Sequence, residues 1–383
     1  MNWNLYILLP VMAVVVVASA KEGHEKQGGI EEQEEQKGYR FDVDSSKYCL
    51  NIMNALIQTI QQKLENENVI PPINTLSDLI AVINTSNHPD IIPLSAILAE
   101  LTLLNNMIGM STLKESLVYQ ILYFIQRFHV ASNDYMHTVI YGPPGTGKTE
   151  ISKIIGAIYS KLGILKNNVF KKVVRDQLVA GYLGQTSMKT KEVIKSCLGG
   201  VLFIDEAYSL GTNDKVDSFA KECIDTLCDA MSEHKHELMV IIAGYEKELN
   251  ECFFQHNLGL ESRFVWHFKT DEYTAADLYN IFLKMIKDIS WKYKFNAFVE
   301  KDIAWFEKNK AYFKYMGRDM ENLLTKTKIA HSKRVFGKSL EIKQTLTLED
   351  LEAGFRLFSN NDTVRARMEK TRIKNDILCS MFS

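Results

Sequence analysis

Residues Gly142-Pro143-Pro144-Gly145-Thr146-Gly147-Lys148-Thr149 fit the pattern G-x-x-x-x-G-K-[ST]. That pattern cradles phosphate. Its glycines let successive backbone N–H groups turn inward around an anion. A helix starting at the lysine adds the partial positive charge of its N-terminus. The Lys148 ammonium is then expected to reach the outer phosphates of a nucleoside triphosphate, and the Thr149 hydroxyl to ligate Mg²⁺. A second apolar segment, Val201-Leu202-Phe203-Ile204, runs into Asp205 and Glu206. Asp205 is expected to hold Mg²⁺ through water, and Glu206 to activate an attacking water. Together the two segments predict ATP and Mg²⁺ as cofactors and hydrolysis as the chemistry.

Such a site needs strands that end at one level. Apolar runs at 138–141, 169–174, 201–204, 239–243 and 264–268 alternate with helical patterns. Alternation of this kind predicts βαβ units and a parallel sheet covered on both faces. After residue 270 only helical patterns follow, at 275–287, 301–309, 318–335 and 348–357. The expected fold is α/β: a five-stranded parallel sheet over 104–270, then a small all-helical lid domain over 271–358. Apolar positions Leu50, Met53, Leu56, Ile60 and Leu64 recur at helical spacing, so residues 46–103 read as a helical N-terminal region. Residues 359–383 form a basic tail, with Arg365, Arg367, Lys370, Arg372 and Lys374, read as a solvated helix. Residues 21–45 are rich in Glu and Gln and read as a polar spacer. Leu5 to Ala20 is an apolar leader ending in Ala18-Ser19-Ala20, read as a signal peptide or membrane anchor.

The two phosphate motifs look like those of an AAA+ P-loop ATPase. The resemblance extends to the group of red-type rubisco activase and stage V sporulation protein K. The segment Leu178-Val179-Ala180-Gly181-Tyr182-Leu183-Gly184-Gln185-Thr186 is similar to that group's pore loop. Gly199-Gly200 before the second motif and Ala243-Gly244-Tyr245 also match that group. The resemblance covers roughly residues 105–360 and implies further roles at matching positions. Ile108 and Gly109 would pack on adenine. Arg263, in Leu260-Glu261-Ser262-Arg263-Phe264, would be an arginine finger completing the site of a neighbouring subunit. Such a finger is worth about 10³-fold or more in rate. Arg318, in Met316-Gly317-Arg318-Asp319, would bring phosphate contact from the lid, and Tyr182 would grip polypeptide in a ring's channel. One position departs from the general pattern. Tyr245 stands where many members place an asparagine that orients water, with Asn250 and Asn257 as possible substitutes.

The implied activity is an ATP-driven motor that remodels or threads a protein client through a homo-oligomeric ring, a hexamer. Composition agrees. Hydrophobic residues make up 46% of the 383, enough for a real core, and the formal net charge of -2 argues against nucleic acid as partner. The alternative is an AAA+ ATPase acting on nucleic acid, a loader or helicase-like factor, and only the basic tail encourages it. A scaffold without turnover is disfavoured, because Lys148 and Glu206 are both kept. None of the six cysteines forms a C-x-x-C pair, so zinc-ribbon spacing is lacking. Cysteine usage and the ATPase resemblance favour a cytoplasmic setting, against which the apolar leader stands.

Overall fold

A computed structural model describes residues 51–58, 70–132, 134–182, 184–211, 217–295 and 299–381. The apolar leader and the polar spacer lie outside the described residues. The chain divides into two compact units, at Glu67 and Asn68. In the first, residues 51–58 are helical.

The second unit opens with three helices, α1 (Leu76–Thr85), α2 (Leu98–Asn105) and α3 (Ser111–Ile125). Thr75 and Asp78 close a reciprocal cap on α1, so its first turn has partners for its free N–H groups. Then strands and helices alternate: β1 (Thr138–Tyr141), α4 (Lys148–Lys161), β2 (Phe170–Val173), α5 (Thr186–Lys195), β3 (Val201–Asp205), α6 (Ser218–Glu233) and β4 (Met239–Gly244). Two short helices, α7 (Glu246–Cys252) and α8 (Leu258–Arg263), lead to β5 (Trp266–Lys269). All pairings are parallel, in the order β2-β3-β4-β1-β5.

Strand composition accounts for that order. β1, β3 and β4 read TVIY, VLFID and MVIIAG, and all but the last residue of β3 are buried. Strands apolar on both sides belong in the middle of a covered sheet. β2 (FKKV) and β5 (WHFK) mix polar and apolar residues and take the edges. Successive side chains serve opposite faces. Ile140, Phe203 and Ile241 join one core with α1 to α4, while Val139, Leu202, Ile204, Val240 and Ile242 join a second core with α6.

Helices α1 and α2 pack onto the α/β domain. Leu79, Leu94 and Leu101 share a core with Ile151, Ile155 and Tyr159 of α4, and Lys161 pairs with Glu100 at 2.7 Å. The compact unit therefore starts upstream of the boundary expected at residue 103, because the apolar faces of these helices are completed by α4.

The C-terminal region is helical, as expected: α9 (Ala275–Asp288), α10 (Val299–Asn309), α11 (Met316–Val335), α12 (Leu348–Ser359) and α13 (Asp362–Met381). Phe282, Phe306, Phe313 and Phe358 fill its centre. The sequence reading lacked one feature, a three-residue parallel ladder between β6 (Lys292–Lys294) and β7 (Thr345–Thr347). Beside it, buried Asp350 accepts from His331 (2.9 Å), Arg334 (2.7 Å) and the Thr347 backbone (2.9 Å).

Candidate nucleotide site

Register brings the chemistry together. Tyr141 pairs with Gly244, and Asp205 pairs with Ala243. The ends of β1, β3 and β4 therefore finish side by side at the carboxyl edge, where ligands of open parallel sheets bind. Gly142, Asp205, Glu206, Gly244 and Tyr245 all line one cavity of about 460 Å³.

Its floor is the loop from Gly142 to Thr149. Gly142 donates its N–H to Gly244 O at 3.0 Å. Gly145 has φ +79, and a Cβ there would lie 2.2 Å from Tyr315 O, so only glycine fits. Lys148 starts α4, and its ammonium donates to Gly142 O (2.8 Å) and Pro143 O (2.7 Å). Burial pulls the Lys148 pKa down, Asp205 and Glu206 push back, and Arg318 adds to the lowering. Thr146 is buried and braces the loop from within. Its hydroxyl donates to Pro143 O, and it accepts from Thr270 Oγ1 and, at its carbonyl, from Tyr273 OH.

The two acids are held differently. Asp205 is paired with Lys172 of β2 at 2.6 Å. Glu206 is exposed and sits in left-handed backbone at φ 52, ψ 45, unusual for a residue with a side chain. Thr149 and Asp205 offer two hard oxygen donors to one cavity. No cluster of three or more His, Cys, Asp or Glu able to hold a metal occurs among the described residues. Two oxygens beside a phosphate cradle suit Mg²⁺, which prefers few protein ligands plus phosphate and water.

The apolar end is made by Met107, Ile108 and Met110 with Ile281 and Met285 of α9. Gly109 packs on Tyr273. The lid closes the remaining side with Gly317, Arg318 and Glu321. Sequence reasoning missed Tyr208, Tyr273, Glu321 and the α9 stripe Ile281, Lys284, Met285 and Asp288. The spacing of that stripe marks one face of a helix, which was the available signal. The adjoining face, Leu278, Phe282 and Ile286, is buried.

Pro143 belongs to the loop without lining the cavity. Two expected residues stand away from it. Arg263 donates to Ser232 Oγ (2.8 Å) and Gly259 O (2.6 Å) and lies 6.0 Å from the Tyr135 ring. Tyr182 is 74% exposed, in a bend whose base Lys189 ties by donating to Asp176 O and Val179 O. Of the candidates for orienting water, Tyr245 lines the cavity; Asn250 is exposed on α7, and Asn257 caps α8 through Gly259 N.

A family model described as "ATPase family associated with various cellular activities (AAA)" matches residues 138–256, the segment from β1 to just past α7. A "Protein CfxQ homolog" of Pyropia yezoensis is 34% identical over 226 residues, covering 58% of this chain and 74% of that one. The chain belongs to the CfxQ family of AAA ATPases. Within that family, the "Putative cfxQ-like protein R730" of Acanthamoeba polyphaga mimivirus is 40% identical over 269 residues. That match covers 70% of this chain and 66% of the viral one. The chloroplastic "Ribulose bisphosphate carboxylase/oxygenase activase" of Cyanidioschyzon merolae is 35% identical over 210 residues, covering 54% and 67%. The match to the family model thus takes in β1 to β4, the phosphate loop, Asp205, Glu206 and Tyr245, and stops short of β5 and the lid.

Proposed function

We propose that the protein is an ATP-driven motor that remodels or threads a polypeptide client through a ring of its own copies, a hexamer. One observation carries it: Lys148, Thr149, Asp205 and Glu206 converge on a single cavity that a lid residue, Arg318, also enters. Lys148 exchanges its two loop carbonyls for the β- and γ-phosphates of ATP. Thr149 and Asp205 hold Mg²⁺, which when bound neutralises charge on those phosphates. Glu206, exposed at the strand end, accepts the proton of the attacking water. Ile108, Met110, Ile281 and Met285 enclose the base. Tyr182, standing out on its loop, contacts the client, and Arg318 couples the lid to the nucleotide. Support for a protein client comes from the rubisco activase relative, which is named for acting on an enzyme.

Glu206→Gln tests the chemistry. It removes the base and leaves the phosphate cradle intact. Turnover should fall by about 10²-fold or more, with ATP affinity kept. A variant hydrolysing ATP at the native rate would sink the assignment.

A further inference from the structure

The last described helix, α13, is more than a solvated tail. Val364 is 3% exposed and packs into the lid core. One turn on, Arg367 reaches Asp319, which is 1% exposed. Arg367 NH1 lies 3.0 Å from Asp319 Oδ2 and NH2 3.2 Å from Oδ1. The same guanidinium stands 4.6 Å from the Tyr315 ring centre.

Asp319 is the hub. Its Oδ2 also accepts from the Tyr315 backbone N–H at 2.7 Å, fixing the entrance to α11. Just after Tyr315 the chain is strained: Met316 has φ 46. Gly317 then donates its N–H to Gly145 O of the phosphate loop at 3.1 Å. Arg318 follows, and its side chain lines the nucleotide cavity. The path therefore runs from α13 through Asp319 and a strained turn to the phosphate loop and Arg318.

We propose that Arg367 is a positioning residue for the nucleotide site: by neutralising and clamping Asp319, it holds the 315–318 turn so that Arg318 faces the phosphates. The proposal rests on the ATP-site reading above. A buried carboxylate that loses its cation is strongly unfavourable. It must turn toward solvent or another donor, and that releases its grip on Tyr315 N–H. The turn is tied on both sides of Met316, by Asp319 at Tyr315 N–H and by Gly145 O at Gly317 N–H, so loosening the first leaves the strained residue held from one side only. The fork geometry matters as well, because an arginine engages both carboxylate oxygens and a lysine does not.

The test is a double-mutant cycle in the full chain. Affinity for the β,γ-imido analogue of ATP with Mg²⁺ is measured by calorimetry, and folding is checked by circular dichroism and thermal melting. Arg367→Met should weaken binding roughly tenfold, the scale of one charge-assisted contact. Arg318→Met should weaken it comparably, and the double variant should be no weaker than Arg318→Met alone. Arg367→Lys keeps the charge without the fork and should give an intermediate loss. That loss should also vanish in the Arg318→Met background, which keeps the test alive if Arg367→Met does not fold. Additive effects would overturn the proposal, as would native affinity in a folded Arg367→Lys or Arg367→Met. Failure of the unsubstituted protein to bind the analogue would instead overturn the ATP-site reading itself.

Discussion

Asp205 sits at the end of β3 beside a cation of its own chain. Lys172, on the neighbouring edge strand, lies 2.6 Å away with its side chain 45% exposed. An ion pair this exposed is worth about 0.2–1 kcal/mol. It is therefore strong enough to compete with Mg²⁺ for Asp205 and too weak to exclude it. Lys172→Met should lower the Mg²⁺ concentration needed for half-maximal nucleotide binding by about 1.4- to fivefold, since 1.4 kcal/mol is tenfold. Calorimetric titration of ADP at stepped Mg²⁺ would check this. An increased Mg²⁺ requirement would mean that Lys172 helps hold nucleotide instead. Among the described residues no cation pairs with Glu206, and its left-handed backbone holds it at the turn into the next 3-10 helix. Neighbouring carboxylates on one strand end thus differ: one is pinned by charge, the other by backbone.

At the scale of elements, the parallel sheet was legible because its central strands are apolar on both faces, a pattern few other settings tolerate. The phosphate loop was legible because glycine spacing and the lysine act locally. The fifth strand slipped. The apolar run 264–268 suggested a strand, yet β5 begins at Trp266, because Phe264 caps α8 and packs on Phe253 and Phe254. A run of hydrophobicity does not say where a helix stops. The cavity-lining face of α9 was hidden for a different reason: its residues face a cavity only once α9 stands beside the phosphate loop and the Met107–Met110 segment. Nor did any local pattern announce β6 and β7, which are three residues each and held by the buried Asp350 network. There the carboxylate, hydrogen-bonded by Arg334, Thr347 and His331 against the cost of burial, has its pKa lowered to about 2. A depressed carboxylate stabilises the fold above its unfolded pKa of 3.8 and loses that contribution as pH falls through about 2. Asp350→Asn should cost about 1.5–3 kcal/mol at neutral pH, the range for hydrogen bonds to a charged group. Thermal melting should show the gap to the unsubstituted protein narrowing as pH drops from 4 towards 2. A gap unchanged with pH would mean that packing, not charge, carries the site.

At the scale of the whole molecule, the two residues away from the cavity are the ones a ring would use. Arg263 is held on α8 by Ser232 and Gly259. It is braced like a positioned group, yet it is not among the residues lining the cavity of its own chain. In the proposed ring it serves the neighbouring site, and that geometry makes an unusual prediction. Arg263→Ala should bind ATP with near-native affinity and lose about 10³-fold in turnover. Glu206→Gln should be similarly inactive for a different reason. Mixed in equal amounts and allowed to reassemble, the two inactive proteins should recover activity. A site that takes Glu206 from one protomer and Arg263 from the next is intact, and random assembly makes about a quarter of the sites of that kind. Turnover measured on the mixture, against each variant alone, decides the matter. If Arg263 only braces α8 within its own chain, no mixture regains activity, because every protomer still carries one lesion. Recovery therefore requires that catalytic groups be shared between copies, and in the proposed ring that sharing makes assembly obligatory for hydrolysis.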